Sequence, residues 1–372
     1  MSTRVSSTGT MKRDALWVRL RNGGLVEGEM PAAGDARAPW FVRVMLGIAG
    51  WIGALFLLGF VGAGFAFVLK SSGAAFVVGA GACAAAVAIF RAAPKNDFVA
   101  QFGLAVSLAG QALLVYGAAQ WFGFERSAIG IALYVALQQT LLFVLVPNFV
   151  HRLWTSWSGA LAAAYAMLDA GLFAFTPAVT TAAFVWVALS EFKLARHGAL
   201  VRAGVYGLAL AAVQTSVLHG NLVAAVILGH DRHGISLGEP GVWLGRLASL
   251  AVLLWAVMTL LRREGLSWSS GQGRVGLAGA LILGIVSIKA PGVGPAAAIL
   301  IVGYANADRV LAGLGIFALL GYLSHYYYSL QATLLEKSAL LAAAGIALLA
   351  ARLAMRHWWP DDQGGNTEAS HA

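Results

Sequence analysis

The chain has 372 residues, 59% of them hydrophobic and only 11% charged, with a net charge of +9 and a mean hydropathy of +0.77. Soluble domains carry about 25% charged residues, so this composition cannot furnish a hydrated surface, and the positive charge does not indicate a nucleic-acid partner. Cys83 is the single cysteine, which excludes an intramolecular disulfide, an all-cysteine zinc site and a cysteine-ligated cluster.

Residues 1–40 form a basic, polar lead-in, expected on the cytoplasmic side. Asp14 to Arg21 predicts a short surface helix ended by Gly23 and Gly24, with Trp17 and Trp40 at headgroup level. No apolar core followed by a small-residue cleavage site occurs there, so a removable signal peptide is not expected.

Residues 41–356 are expected to form one all-α domain, a polytopic transmembrane helix bundle. A hydrocarbon layer of about 30 Å takes about 20 apolar residues per helix, and an open strand edge cannot sit in it. Apolar runs predict helices over Val42–Leu69, Gly73–Phe90, Phe98–Ala119, Ala128–Val146, Trp154–Phe175, Val179–Leu194, Val201–Leu228 and Val242–Leu261. Two short runs follow, Val275–Ile288 and Ala296–Tyr304, separated by Pro291, Gly292, Gly294 and Pro295. They are either two short helices or one broken, re-entrant element. Val310–Tyr328 and Leu334–Met355 complete the series, about twelve helices if the short pair crosses twice and eleven if it crosses once. Residues 357–372 are a polar tail, expected to be disordered and cytoplasmic.

Cytoplasmic loops collect Lys and Arg. With twelve helices and a cytoplasmic N-terminus, most of the 25 basic residues fall in inside loops, leaving Lys70, Arg126, Arg232, Arg246, Lys289 and Lys337 outside.

An ionisable side chain in hydrocarbon costs at least ~2.5 kcal/mol, so each one is a functional candidate. Asp169, sixteenth in its apolar run, His219, Arg246 and Lys289 form a candidate intramembrane polar site opening toward the extracytoplasmic side. Asp169 needs a proton or a partner, and Arg246 and Lys289 fall at its level. Snorkelling is the competing explanation for the cations. His325, Tyr326, Tyr328, Glu336 and Lys337 form a candidate outer-rim contact for a partner, with an aromatic belt as the competing explanation. Gly103, Gly110 and Gly117 recur every seven residues beside Ser107 and Gln111, which predicts a close helix–helix seam with Gln111 as a hydrogen-bonding bridge. Gln138 and Gln139 share that structural reading.

Phosphate-binding glycine loops, HExxH, GxSxG and haem-attachment spacings are absent from the sequence, so neither an enzyme nor a cofactor is expected. His230 and His233 in HDRH lack the further ligands a metal needs, so no metal site is expected.

The string YYYSLQATLLEKSALLAAAGIALLAARL, from Tyr326 to Leu353, resembles the closing signature of a bacterial inner-membrane family, domain of unknown function 4401. Trp17, Gly24-Leu25-Val26 and Pro39-Trp40 agree with its opening stretch. The resemblance covers most of the chain. It implies a multi-pass inner-membrane protein with no assigned activity. It also implies a neighbouring gene for a small membrane-anchored protein with a Gly-Asp-Tyr signature as a candidate partner beside the lipid bilayer.

Two functions remain open on the sequence. One is a non-enzymatic envelope component or scaffold for a membrane-anchored partner; the alternative is a small-solute or proton-coupled transporter.

Overall fold

The computed structural model describes residues 70–92, 97–123, 127–190, 195–220, 238–290 and 292–329, with isolated positions elsewhere. These residues contain no strand and ten α-helices: α1 (Ser72–Ala92), α2 (Asp97–Trp121), α3 (Ala128–Leu145), α4 (Phe149–Asp169), α5 (Thr176–Leu189), α6 (Gly198–Gly220), α7 (Gly238–Arg263), α8 (Gly271–Lys289), α9 (Val293–Ala305) and α10 (Arg309–Ser329). Six of them, α1, α2, α3, α6, α7 and α8, are long and apolar enough to cross a membrane. The protein is an all-α bundle suited to a bilayer. The spans predicted over Val42–Leu69 and Leu334–Met355 lie outside the described ranges, as do His230, His233 and the tail. Of the lead-in, Ala15, Trp17 to Arg19, Arg21 and Asn22 are helical, and the amide of Gly23 donates to the carbonyl of Arg19.

Short polar side chains start the helices by taking up otherwise orphaned amides. Ser127 accepts from Gly130 N before α3, Asn148 from His151 N before α4, and Ser270 from Gly273 N before α8. The capping by Asn148 moves the start of α4 five residues ahead of the predicted Trp154. At its other end Gly171 turns left-handed with φ 77°, and Leu172 N bonds back to Met167 O, closing the helix at Asp169. The apolar run continues to Phe175, but the helix does not.

Neighbouring helices pair antiparallel. Gly79, Gly110 and Gly117 set the α1–α2 seam, and on either side a Cβ would stand within 3 Å of the other helix's backbone. Gly103 closes the same seam against Ile89 and Phe90, so the seven-residue glycine repeat marks the seam it predicted. In α9 and α10, Gly303 meets Leu311 and Ala312, and Gly315 meets Leu300. The central core gathers Phe184 and Val185 of α5, Val205 and Ala209 of α6, Leu253 and Ala256 of α7, and Ile299 and Val302 of α9.

Proline does not break α9 where the sequence suggested. Pro295 is the third residue of the helix, where its missing amide has no intrahelical acceptor to lose. The turn from α8 is held by Ser287, whose hydroxyl accepts from Gly294 N at 3.0 Å. The C-terminal ends of α5, α7 and α9 meet at Asn306, which accepts from Arg263 (2.8 Å) and donates to Ala188 O (3.2 Å). α9 therefore runs in the same direction as α5 and α7. Gly284 of α8 lies against Leu250 of α7, and Gly276 against Val257 and Leu261, so α8 runs opposite to α7 and hence to α9. The short pair is therefore two separate helices lying antiparallel, joined by the turn at Gly292.

Candidate functional site

Three helices place five polar side chains together in the interior. Ser107 and Gln111 are one turn apart on α2, Gln138 and Gln139 are on α3, and His151 is on the first turn of α4. All five are buried, Ser107 and His151 completely.

The amide donors can be assigned in order. The Gln139 amide donates to the side-chain carbonyl of Gln111 at 2.9 Å. The Gln111 amide donates to the Ser107 hydroxyl oxygen at 3.1 Å and lies 3.4 Å from His151 Nε2. Ser107 Oγ and His151 Nε2 are hydrogen-bonded at 2.8 Å, in the direction that the imidazole tautomer sets. The Gln138 amide reaches the backbone carbonyl of Gln111 at 3.5 Å. Phe90 stacks edge-on against the imidazole, with ring centroids 5.7 Å apart. Three buried atoms of the network have no hydrogen-bond partner among the described residues: His151 Nδ1, Gln138 Oε1 and Gln139 Oε1. Two are carbonyl acceptors and the third is a ring nitrogen, so the network retains capacity for a polar guest.

Ser107 and Gln111 are where the sequence placed a bridge. His151 was missed, because Pro147 and Arg152 made its segment resemble a loop. Asn148 in capping position, with His151 and Thr155 one turn apart, is the signal that would have recovered it.

Of the sequence-predicted polar site, the structure describes the side chains of Asp169 and Arg246. Asp169 is the last residue of α4 rather than a mid-helix carboxylate, since Gly171 ends the helix early. Arg246 lies over the Trp243 ring, 5.3 Å from its centroid. The neighbouring Gly245 abuts Ala174 in the turn before α5, which puts Arg246 at the same end of the bundle as Asp169. His219 and Lys289 occupy the final turns of α6 and α8, and their side chains lie outside the described residues. Thr215, one turn before His219, pairs with Thr180 of α5 at 2.9 Å. His325 is exposed near the end of α10. The backbones of Tyr326 and Tyr328 continue that helix, while their side chains, and Glu336 and Lys337 altogether, lie outside the described residues.

The opposite end is basic. Arg196, Arg202, Arg262, Arg263, Arg274 and Arg309 all stand at helix ends around Asn306. Here Tyr206 of α6 donates to Asp308 Oδ2 at 2.7 Å, while Asp308 Oδ1 caps α10 by accepting from Val310 N and Leu311 N. Partial burial pushes the Asp308 carboxyl up. The Tyr206 hydroxyl, the two amides and the nearby Arg202 guanidinium outweigh that and hold it below the usual carboxylate range. A carboxylate held low stabilises the fold above its unfolded pKa and loses that contribution as pH falls through the lower folded value. Thermal stability in detergent should therefore fall below about pH 4, the ordinary carboxylate value, and fall less steeply in Asp308→Asn; identical pH profiles would refute the assignment.

Comparison with protein-family models gives a match to the family described as Domain of unknown function (DUF4401), over residues 39–357. Comparisons with curated proteins and with solved structures give no match. The matched region takes in every described helix from α1 to α10, and with it the buried network and the basic end: the chain belongs to the DUF4401 family.

Proposed function

We propose that the protein is a non-enzymatic, multi-pass component of the bacterial inner membrane, with its N-terminus in the cytoplasm, that passes protons or a small polar solute through the α2–α3–α4 interface. One observation carries this reading. Five polar side chains are buried between these helices, and three of their atoms are left without partners among the described residues. Apolar residues would seal the interface more cheaply, so polar groups kept there point to a polar passenger. An imidazole that takes up a proton at one ring nitrogen can release one from the other, and Ser107 and Gln111 hold the ring so that Nε2 faces the network while Nδ1 is unoccupied. The orientation is supported by the six arginines around Asn306, because Lys and Arg gather on the cytoplasmic side.

The test is proton flux into liposomes holding the full chain and a trapped pH-sensitive dye, with a potassium-diffusion potential as the drive. Wild-type protein should conduct, and His151→Gln, which keeps a hydrogen-bonding side chain but cannot relay a proton, should lose most of the flux. Loss in Asp169→Asn with His151→Gln unchanged would move the site to the Asp169 end. Flux no greater than in protein-free liposomes would reject a proton path.

The scaffold reading is supported by the exposed His325 near the end of α10. It predicts recovery of a small anchored protein after mild extraction and crosslinking, and repeated failure to recover one would count against it.

A further inference from the structure

At the basic end, where Phe149 of α4 stands edge-on to Tyr206, the structure contains a cavity of about 400 Å³ between the first turns of α6 and the α9–α10 turn. Its polar lining is Arg202, Tyr206, Asn306, Asp308 and Arg309. We propose that this cavity binds a phosphate group at the membrane surface, carried either by an anionic lipid headgroup or by a soluble phosphate.

Charge comes first. Two guanidinium groups face one carboxylate, and the carboxylate is already engaged: Asp308 accepts from the Tyr206 hydroxyl and from two backbone amides at 2.7 to 3.1 Å. Its charge remains, so the two guanidinium groups leave the lining with a net charge of +1. Arg309, the first residue of α10, is exposed and has no hydrogen bond or ion pair among the described residues. Arg202 stands across the cavity on α6, exposed and beside Tyr206. A planar guanidinium with paired N–H groups matches two phosphate oxygens, which a lysine ammonium does not.

Position comes second. The floor of the cavity is Val205 and Leu311, both buried in the central core, while Tyr304 on the last turn of α9 is 83% exposed. The mouth opens at the arginine-rich end of the bundle, beyond the apolar core. Asn306 is held in place by Arg263 and Ala188, so the wall on that side is built independently of any ligand. Ala307 forms the rim with φ 54°, a left-handed conformation that costs an L-residue about 1 kcal/mol. That conformation lets the chain turn from α9 into α10 with the Asp308 amide bonded back to Gly303 O.

The test uses the full-length protein in a zwitterionic detergent. Thermal stabilisation is titrated with short-chain phosphatidylglycerol, with short-chain phosphatidylcholine, and with inorganic phosphate. At least one phosphate-bearing probe should give a saturable upward shift in Tm. Response to phosphatidylglycerol alone assigns a lipid headgroup; response to inorganic phosphate assigns a soluble phosphate. Arg309→Gln, an exposed change that leaves the core untouched, should weaken that response about tenfold, the worth of one charge-assisted hydrogen bond. Arg202→Gln should do likewise. Arg274→Gln, on the same end but outside the cavity, should shift the midpoint less than twofold. The proposal is overturned if no probe gives a saturable shift, or if Arg274→Gln weakens the response as much as Arg309→Gln does.

Discussion

Gly117→Leu is expected to abolish recovery of the folded protein from detergent extracts, while Gly81→Leu on the same helix pair is tolerated. A Cβ at Gly117 would stand 2.7 Å from Phe76 N and 2.8 Å from Ser72 O. Both are backbone atoms of α1 and cannot rotate away. The seam would have to open along its length, separating Gly110 from Gly79 as well. Overpacking a well-filled interface costs about 1–3 kcal/mol and occasionally more, and here the added side chain meets backbone that cannot yield. Gly81 has nothing within 4 Å of its Cβ position, so a side chain there meets only open space. Fluorescence-detected size-exclusion profiles of the two variants give the comparison, and a peak like that of the wild type for Gly117→Leu would contradict the seam.

Gln111→Leu should destabilise the bundle by about 1–3 kcal/mol, because interhelical hydrogen bonds in membranes average about 0.6 kcal/mol and orphaned buried groups add a desolvation cost. The loss falls on three helices at once. Gln139 loses its acceptor, Ser107 loses its donor, and Leu has no amide to place near His151. The more telling variant replaces the network as a whole: Ser107→Ala, Gln111→Leu, Gln139→Leu and His151→Phe together. With these polar partners removed at once, none of the four strands another, and the introduced phenyl ring would keep the edge-on contact that Phe90 makes with the imidazole. Stability near wild type with proton flux lost would show that the network serves transport rather than folding. Stability lower than in the single variant would mean that it holds the helices together.

The length and direction of most helices could be read from apolar runs, since lipid permits little else. The glycine repeat in α2 also foretold the α1–α2 seam, because only small residues allow that approach. Helix ends were legible where a side chain caps them, as at Ser127, and illegible where the run of apolar residues outlasts the helix. Asp169 shows the second case: Gly171 ends α4 in a left-handed turn, although Leu172 to Phe175 remain apolar. Composition records hydropathy, whereas the end of a helix depends on one backbone dihedral. The buried network was half legible. Ser107 and Gln111 lay inside a clear span. His151 lay between Pro147 and Arg152, two residues that mark a boundary whether the helix begins before or after them.

The 13-residue α9 has a consequence for how the protein meets membranes of different thickness. At about 1.5 Å per residue it is roughly 20 Å long, well short of a hydrocarbon layer of about 30 Å. Exposed to lipid, a helix of that length would thin the bilayer or tilt its neighbours. Nine of its residues are instead buried, from Val293 through Ile299 and again at Val302 and Gly303, and α5, α7, α8 and α10 pack around it. Its solvent is protein rather than lipid. Hydrophobic matching therefore falls to the outer helices, and changing lipid chain length should alter their tilt while leaving the centre of the bundle unchanged.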